Sequence, residues 1–410
     1  MARKLMTAVQ YSSYGGPDGL QHVEVPVPTP NKDEVLLKIE AVSLNPVDWK
    51  VQKGALRPFL PPKFPHIPVA DVVGDVIEVG SRIKNFKAGD KVVAMVNPIV
   101  LIKEPMGMLS PLLELAWYKL GEEFSIVCLS GKESLRLDMA PLELQASSDP
   151  VYNGVNFDRT AEGEQVMISL ASTIVVGVVA KNGGGLAEFA VTKGSLTVAR
   201  PPELSADKFV GLPVAGLTAY HAITQSAGIK LDGSGTKSNI LITAASGGVG
   251  HYAVQLAKLG NAHVTATCGA RNIEFVKGLG ADEVIDYKTP DGAALRSPSG
   301  KKYDTVIHCA AGIPWSTFEP NLSSNGKVID ITPGLGALLT FALQKLTFSK
   351  KLLVPLILIP KDENLRYLVN LVKEGKLKTV IDSKYPMDKV KDAWAKISDG
   401  HATGKIIVEN

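Results

Sequence analysis

A short glycine-rich run is the first feature of the sequence that could carry chemistry. The run Ala244-Ala245-Ser246-Gly247-Gly248-Val249-Gly250 follows an apolar segment typical of a strand and precedes a segment typical of a helix. In such a turn Gly247 would let the backbone approach a diphosphate, Gly250 would let helix and strand pack closely, and free N–H groups at the helix start would bind the phosphate charge. Ala245 occupies the first glycine position of the usual fingerprint, and a tight turn of any α/β protein would look similar. The strand before the run, the helix after it and the further strand and helix segments that follow favour a dinucleotide site.

The type of dinucleotide should be visible about 20 residues further on, where the second strand ends. An acidic side chain there would bind the ribose hydroxyls of NAD, whereas a nearby arginine would accommodate the 2′-phosphate of NADP. The segment Thr265–Arg271 contains no carboxylate, and Arg271 stands at its end. A surface arginine can also be merely solvated, but the pattern favours NADPH over NADH.

Two patterns of secondary structure must position these residues. From Met6 to Val93, short β-like runs alternate with turn residues, which predicts an antiparallel β domain. From Asn239 onward, strand-like and helix-like segments alternate, which predicts a parallel, doubly wound sheet. We therefore expect an α/β protein with a β-rich domain, and the β-like run Lys405–Val408 near its end.

Composition excludes several classes of protein. The chain has 410 residues, with 44 Lys and Arg against 41 Asp and Glu and a net charge of +3, which suggests two or three domains. The basic residues are scattered, so no field is available to hold a nucleic acid. The three cysteines, Cys128, Cys268 and Cys309, form neither a disulfide framework nor a C-x-x-C metal motif, which fits a reducing compartment.

Several motifs occur in an order that is characteristic of one superfamily. They are Asn45-Pro46-Val47-Asp48, Gly89-Asp90-Lys91-Val92, Gly183-Gly184-Gly185-Leu186-Ala187-Glu188-Phe189, Gly216-Leu217-Thr218-Ala219-Tyr220, the glycine-rich turn and Gly404-Lys405. Together they resemble the medium-chain dehydrogenase/reductase superfamily, and most of all its zinc-free quinone oxidoreductase branch with its plant chloroplast-envelope members. The resemblance implies a GroES-like catalytic domain, a Rossmann domain that binds NADPH, and an active cleft between the two.

The resemblance also implies how the chain is divided. The predicted parts are 1–96, the first part of the GroES-like catalytic domain; 97–182, an atypical insertion; 183–212, the second part of the catalytic domain; 213–372, the Rossmann domain; and 373–410, the C-terminal part of the catalytic domain.

The insertion 97–182 is far longer than the roughly 12 to 15 residues at which an unstructured loop becomes suspect. It could be a subdomain over the cleft, a disordered surface excursion, or a segment that is absent from the working protein. We favour the last hypothesis, because the flanks would join cleanly without it and its apolar run has no obvious partner face. The segments Pro111–Glu123 and Gln165–Ala180 are predicted as a helix and a strand.

The resemblance assigns site residues to matching positions. Asn45 and Asp48 would lie in the cleft near the nicotinamide and the substrate, and Thr218 would contact the nicotinamide ribose. Tyr287 would help to hold the 2′-phosphate. Lys50 is a candidate cleft cation that could stabilise an enolate. Simpler roles stay open: a turn residue before proline for Asn45, a helix cap for Asp48, packing for Tyr287 and plain solvation for Lys50.

The predicted chemistry follows from the expected absence of a metal. Zinc-dependent relatives have a Cys and a His as ligands where this chain has Asn45 and Ala70, and zinc needs at least three N, S or O donors. Without a Lewis acid nothing would stabilise an alkoxide. A quinone or an α,β-unsaturated carbonyl suits the site better, because hydride addition leaves a delocalised enolate that needs only hydrogen-bond donors and a proton source. The proton donor stays unidentified.

We therefore predict an NADPH-dependent quinone or enone reductase. The rival hypothesis is a catalytically inactive protein of the same fold that binds a nucleotide or lies on a membrane. By resemblance, the protein is expected as a homodimer joined through Rossmann sheet edges and as a peripheral protein of the chloroplast envelope, with the cytoplasm as the alternative.

Two apolar stretches bear on membrane contact. Val166–Ala180 is shorter than the roughly 20 residues that span a bilayer, and Gly334–Pro360 is interrupted by lysines. A buried strand or helix is favoured for both. The alternative for the second stretch is a peripheral membrane contact in which its lysines face lipid headgroups.

Overall fold

The chain consists of two compact units, Met1–Pro98 with Ala180–Asn410, and Ile99–Val179. The computed structural model describes residues 4–55, 63–96 and 184–410, together with four strand segments at 100–102, 124–130, 133–139 and 176–178. Every predicted site residue lies in the described part of the first unit.

The strands of the described residues are given in chain order. They are β1 (Leu5–Gln10), β2 (Gln21–Pro26), β3 (Glu34–Leu44), β4 (Asp71–Val79), β5 (Lys91–Met95), β6 (Val100–Ile102), β7 (Phe124–Ser130), β8 (Glu133–Met139), β9 (Val176–Val178), β10 (Phe189–Lys193), β11 (Thr197–Ala199), β12 (Asn239–Ile242), β13 (His263–Cys268), β14 (Glu283–Asp286), β15 (Tyr303–His308), β16 (Leu322–Asp330), β17 (Leu352–Pro355), β18 (Ile381–Pro386) and β19 (Lys405–Glu409).

The α-helices of the described residues follow the same order. They are α1 (Pro46–Lys53), α2 (Leu217–Tyr220), α3 (Gly250–Leu259), α4 (Ile273–Gly278), α5 (Pro290–Ala293), α6 (Trp315–Phe318), α7 (Leu335–Leu346), α8 (Asp362–Lys373) and α9 (Val390–Asp399). Two π-helical turns, Leu212–Gly216 and His221–Ser226, flank α2 and make one continuous helical segment with it.

A seven-stranded sheet forms the β-rich half of the first unit. Its order is β11-β5-β4-β3-β19-β18, with β10 also paired to β3, and all its pairs are antiparallel except β18 with β19. Alternating apolar side chains such as Val35 and Leu37 of β3 are fully buried, and the indole of Trp394 on α9 packs into the same core. The sequence-distant strand β19 therefore completes this sheet beside β3.

The second half of the first unit is a parallel sheet with the order β14-β13-β12-β15-β16-β17. This is the doubly wound order 3-2-1-4-5-6, in which ligands bind beyond the carboxyl ends of the strands where the order reverses. Its central strands carry fully buried apolar residues such as Ile240, Val264 and Ile307, as is typical of strands covered on both faces. The predicted GroES-like and Rossmann fold class is confirmed.

The second unit contains two antiparallel strand pairs among its described segments, β6 with β9 and β7 with β8. The predicted helix Pro111–Glu123 lies outside the described residues, as does most of Gln165–Ala180.

Both ends of the segment 97–182 are held by the same short stretch of the first unit. The Val96 N–H donates to the Ala70 carbonyl at 2.8 Å, and the Gly184 and Gly185 N–H groups donate to the carbonyls of Ile67 and Val69 at 2.8 and 2.7 Å. The chain therefore leaves and re-enters the first unit at neighbouring positions of one stretch, residues 67–70.

One expectation about burial is wrong. The stretch Gly334–Pro360 contains α7, but Leu339 and Leu343 on that helix are 62% and 61% exposed, and Phe348 just after it is 91% exposed. The preference for a buried element failed because helix α7 packs against the edge strand β17 with one face only. In the described part of the chain, no helix is long and apolar enough to cross a bilayer.

Candidate active site

The glycine-rich turn joins β12 to α3 at the carboxyl edge of the parallel sheet. The Ala245 N–H donates to the Thr267 carbonyl at 2.9 Å and so fixes the turn to the neighbouring strand. A Cβ atom on Gly250 would lie 2.4 Å from the Ala244 carbonyl oxygen and 2.6 Å from the Ala245 Cα. Backbone atoms cannot give way at these distances, so α3 can begin this close to β12 only with glycine at position 250.

The other residues of the turn face the C-terminal part of the chain. The Ser246 carbonyl accepts a hydrogen bond from the Gly404 N–H at 2.8 Å. A Cβ on Gly248 would lie 3.4 Å from Cδ of Lys405, whereas one on Gly247 would meet only the Ala244 carbonyl oxygen, at 3.3 Å. Val249 directly precedes α3 and packs on the core. The turn is thus supported from below by Gly404-Lys405, which leaves the backbone at Gly247 uncrowded.

A buried histidine anchors this turn, and the sequence reasoning missed it. Nδ1 of His251 lies 2.9 Å from the Gly247 carbonyl oxygen, and Nε2 accepts from the Val380 N–H at 3.3 Å. The carbonyl can only accept, so Nδ1 carries the proton. Burial, with a further contribution from the charge of Lys405, lowers the pKa of His251 to about 4. A neutral imidazole therefore holds the turn at pH 7, and its only sequence signal was a histidine next to the last glycine.

Arg271 and Tyr287 lie just beyond the carboxyl ends of β13 and β14. The Arg271 guanidinium is exposed and donates to the His401 carbonyl oxygen. The Tyr287 ring is 45% exposed, and its Cε1 lies 3.6 Å from the position of a Cβ on Gly269. The Lys288 ammonium lies 5.8 Å from the centre of that ring. Two cations and a phenol thus flank the end of β13, an environment suited to a phosphate group.

Thr218 is buried on α2, at 7% exposure. Its hydroxyl donates to the Val214 carbonyl at 2.7 Å, one helical turn earlier. The Thr218 hydroxyl oxygen could still accept a hydrogen bond from a ribose, but its proton is already donated to Val214. The ribose contact of Thr218 therefore stays a prediction.

Asn45 and Asp48 stand at the start of α1, and both are buried. Oδ2 of Asp48 accepts from the Asn45 N–H at 2.7 Å, which satisfies an otherwise unpaired donor at the helix start. The Asn45 amide donates to the Ser43 carbonyl at 3.2 Å and to Oδ2 of Asp71 at 2.8 Å, and its Oδ1 accepts from Lys405 Nζ at 2.6 Å. Every polar group of Asn45 is therefore engaged within the protein.

Asp71 and Lys405 complete a cluster that sequence reasoning did not assemble. We call Asn45, Asp48, Asp71 and Lys405 the buried quartet. Oδ1 of Asp71 accepts from the Val214 N–H at 2.8 Å, and its Oδ2 lies 3.8 Å from Lys405 Nζ. Lys50 is partly exposed on α1 and, within the described structure, does not join the quartet.

Burial controls the ionisation of the quartet. It raises the pKa of Asp48 to about 7, and it raises that of Asp71 to about 6 against the opposing effects of Lys405 and two hydrogen bonds. It lowers the pKa of Lys405, which Asp71 and Asp48 oppose. Burial therefore moves the pKa values of Asp71 and Lys405 towards each other, while the attraction between the two side chains opposes both shifts. Near neutral pH, Asp48 is close to its titration midpoint.

The donors of this region do not fit a zinc ion. Ala70 offers no donor atom, and the Lys405 ammonium already lies against the Asn45 oxygen. Across the described residues, no group of three or more His, Cys, Asp and Glu side chains could hold a metal. Any cation beside Asn45 would have to displace Lys405 at a cost in charge repulsion.

The fold and the glycine-rich turn define a dinucleotide-binding enzyme class with a GroES-like domain. Residues 31–105 match the alcohol dehydrogenase GroES-like domain family, and residues 279–408 match the zinc-binding dehydrogenase family. The chain belongs to the medium-chain dehydrogenase/reductase superfamily, in its quinone oxidoreductase group, as the sequence motifs predicted. Members of this family use a nicotinamide cofactor.

Individual relatives support that membership. The chain is 58% identical to the chloroplast envelope quinone oxidoreductase homolog of Arabidopsis thaliana and 56% identical to the chloroplastic quinone-oxidoreductase homolog of Spinacia oleracea, each over 410 residues that cover 100% of both chains. Among solved structures, the quinone oxidoreductase from Coxiella burnetii superposes with a TM-score of 0.70 at 25% identity, covering 99% of this chain and 100% of that one. The chain is thus a homologue of quinone oxidoreductases, and its close relatives are chloroplastic.

Proposed function

We propose that the protein is a zinc-independent, NADPH-dependent reductase of quinones or α,β-unsaturated carbonyls. The observation that carries this proposal is the ammonium of Lys405 against Asn45, at the position where zinc-dependent relatives have a metal ligand. Such a site offers no Lewis acid to stabilise an alkoxide, but it can reduce an acceptor in which the negative charge left by hydride addition is delocalised.

The reaction requires little of the protein's own groups. A nicotinamide held by the glycine-rich turn and α2 would supply a hydride to the β-carbon of the enone, and the electrons of the conjugated system would shift to the carbonyl oxygen to give an enolate of the substrate. A proton then adds to the α-carbon, so that one hydride and one proton are consumed for each enone. A quinone takes up the same hydride and proton to give a hydroquinone. The turn and α2 bind and orient the cofactor, and Asn45, Asp48 and Lys50 are the proposed cleft residues.

An acceptor screen tests this function. Purified protein is incubated with NADPH or NADH and a short series of quinones and enones, and oxidation is followed at 340 nm. We expect turnover with NADPH and at least one conjugated acceptor. Tight NADPH binding without reduction of any acceptor would favour the rival function, a nucleotide-binding protein without turnover.

Arg271 and Tyr287 support the choice of NADPH. Replacing Arg271 by alanine is expected to weaken NADPH binding by about 10- to 100-fold, since a charged hydrogen bond to a phosphate contributes about 1.5 to 3 kcal/mol. NADH binding should change less than about twofold. The affinities of both cofactors are measured by fluorescence titration. Arg296→Ala, at another exposed arginine that pairs with Asp291, is the matched control. An equal loss for both cofactors would contradict a 2′-phosphate contact.

We propose a peripheral contact with the chloroplast envelope through α7. Leu339, Leu343 and Phe348 are exposed next to Lys345 and Lys350, a combination that suits an anionic lipid surface. The full chain should sediment with phosphatidylglycerol vesicles at low salt, and Leu339→Ser/Leu343→Ser should reduce the bound fraction severalfold. Ile77→Ser, at an exposed apolar residue elsewhere, is the control. Equal sedimentation of all three proteins would contradict the assignment.

We propose a homodimer joined through edges of the parallel sheet, as the family resemblance implies. An unpaired strand edge offers a row of free N–H and C=O groups that a second copy can satisfy. Light scattering of the purified chain measures its molar mass, and a monomeric mass at micromolar concentration would contradict this assembly.

We propose that residues 97–182 are dispensable for the working enzyme. The hydrogen bonds of Val96, Gly184 and Gly185 to residues 67–70 close the segment at its base, and a shorter connection lowers the entropic cost of closing the loop. A chain in which two glycines replace 97–182 should bind NADPH and turn over within about threefold of the full chain, because the flanking hydrogen bonds to residues 67–70 are retained. Loss of activity in the soluble shortened chain would overturn the proposal.

A further inference from the structure

Lys405 carries the most deeply buried amine of the site region. Its side chain is only 2% exposed, and Nζ donates to the Leu44 carbonyl at 3.0 Å and to Oδ1 of Asn45 at 2.6 Å. The paired Asp71 side chain is fully buried. Buried ion pairs often contribute little net stability compared with apolar residues of similar size, so the presence of this pair calls for a role beyond holding the fold.

The ion pair connects three elements of the cofactor site. The stem of Lys405 passes beneath the glycine-rich turn, since a Cβ on Gly248 would lie 3.4 Å from its Cδ and 3.9 Å from its Nζ. Asp71 binds the Val214 N–H, which begins the helical segment that carries Thr218. Through Asn45 the same ammonium holds the start of α1. The turn, the Thr218 segment and the catalytic domain therefore meet at one pair of charges.

The other titratable groups beside the pair carry no positive charge. His251 is neutral at pH 7 because burial lowers its pKa to about 4. Burial raises the pKa of both Tyr252 and Tyr11, so these neighbours are uncharged as well. Asp48 is the remaining acid, and Asp71 raises its pKa while Lys405 lowers it.

We propose that Lys405 is a positioning residue for hydride transfer. The ammonium does not touch the substrate. It fixes the Asn45 side chain and the underside of the turn relative to each other, and so sets the separation between the bound nicotinamide and the catalytic domain. This inference rests on the proposed reductase function. Displacements of about 1 Å in such a geometry can cost about 100-fold in rate.

The test removes both charges of the pair at once, so that neither ion is left without its counter-charge. In Lys405→Met/Asp71→Asn the new amide still offers an oxygen to the Val214 N–H, but the Leu44 carbonyl and Oδ1 of Asn45 lose their donor, so the variant should melt below the wild type. We expect the folded variant to bind NADPH within about fivefold, while kcat falls by about 10- to 100-fold. With NADPH deuterated at C4, the isotope effect on kcat should rise, because hydride transfer becomes rate-limiting. A purely structural pair would not change the isotope effect.

A second ion pair provides the matched control. Lys384 and Asp207 lie 2.9 Å apart at β18 and are 41% and 22% exposed, and Lys384→Met/Asp207→Asn should leave kcat and the isotope effect unchanged. If the first double variant does not fold, Lys405→Gln/Asp71→Asn retains a donor for Asn45 and is measured in the same way.

The outcomes separate the two proposals. A folded double variant that keeps kcat within about threefold, with an unchanged isotope effect, would overturn the role of Lys405 while leaving the reductase intact. Absence of turnover in the wild type with every acceptor would instead defeat the reductase function itself.

Discussion

The Gly250→Ala variant is expected to bind NADPH about 10- to 100-fold more weakly than the wild type and to unfold at a lower temperature. The added Cβ would lie 2.4 Å from the Ala244 carbonyl oxygen and 2.6 Å from the Ala245 Cα, both backbone atoms. Helix α3 must then move away from β12, and overpacking of this kind costs about 1 to 3 kcal/mol. Because the cofactor diphosphate is expected at the start of that helix, the shift reduces binding as well as stability. Isothermal titration and thermal unfolding measure the two effects.

Gly278→Ala is the matched control for this change. Gly278 ends α4, and no heavy atom lies within 4 Å of the position of an added Cβ. Alanine there should be neutral or stabilising by up to about 1 kcal/mol, because it restricts the unfolded chain. If Gly250→Ala matched Gly278→Ala in NADPH affinity and melting temperature, close packing at position 250 would not govern the site.

Much of the fold could be predicted from the sequence because its strands are strongly patterned. The predicted alternation of strand-like and helix-like segments from Asn239 onward matches the strands from β12 to β17 and the helices between them, and the central strands carry fully buried apolar residues such as Val264 and Ile307. The exposure of helix α7 was not predicted because its exposed face carries Leu339, Leu343 and Leu346, residues that are typical of a buried face. Composition there could not distinguish burial from exposure.

The site residues fall into two groups, those that a local sequence pattern indicated and those that it did not. The glycine-rich turn and Arg271 are local in sequence, so spacing alone indicated them. His251, Asp71 and Lys405 were missed because their partners are distant in the chain: Lys405 binds Asn45 across 360 positions, and the Val214 N–H binds Asp71 across 143. No local pattern encodes such contacts. Only the burial of a charged side chain in an otherwise apolar strand could have signalled Lys405.

Replacing His251 by leucine is expected to destabilise the folded protein by about 2 to 5 kcal/mol. The Gly247 carbonyl and the Val380 N–H would both lose their partner in a buried place, and each unpaired group costs about 1 to 3 kcal/mol. NADPH binding should weaken too, because Gly247 stands in the turn. His251→Gln can still donate and accept, so it should recover most of both losses. Urea unfolding and NADPH titration measure them, and a leucine variant as stable as the wild type would contradict the anchoring role.

The pH dependence of stability distinguishes the histidine from its glutamine replacement. The pKa of His251 is about 4 in the folded state and about 6.5 for a model histidine, so between these values the unfolded chain binds the proton and the folded chain does not. The stabilising contribution of the neutral imidazole is therefore complete above pH 6.5 and is lost as the pH falls towards 4. Relative to His251→Gln, the free energy of unfolding of the wild type should fall by ~3 kcal/mol between pH 7 and pH 4. Parallel curves for the two proteins in urea titrations across this range would show that His251 is not held neutral, since only a proton taken up on unfolding can produce the difference in slope.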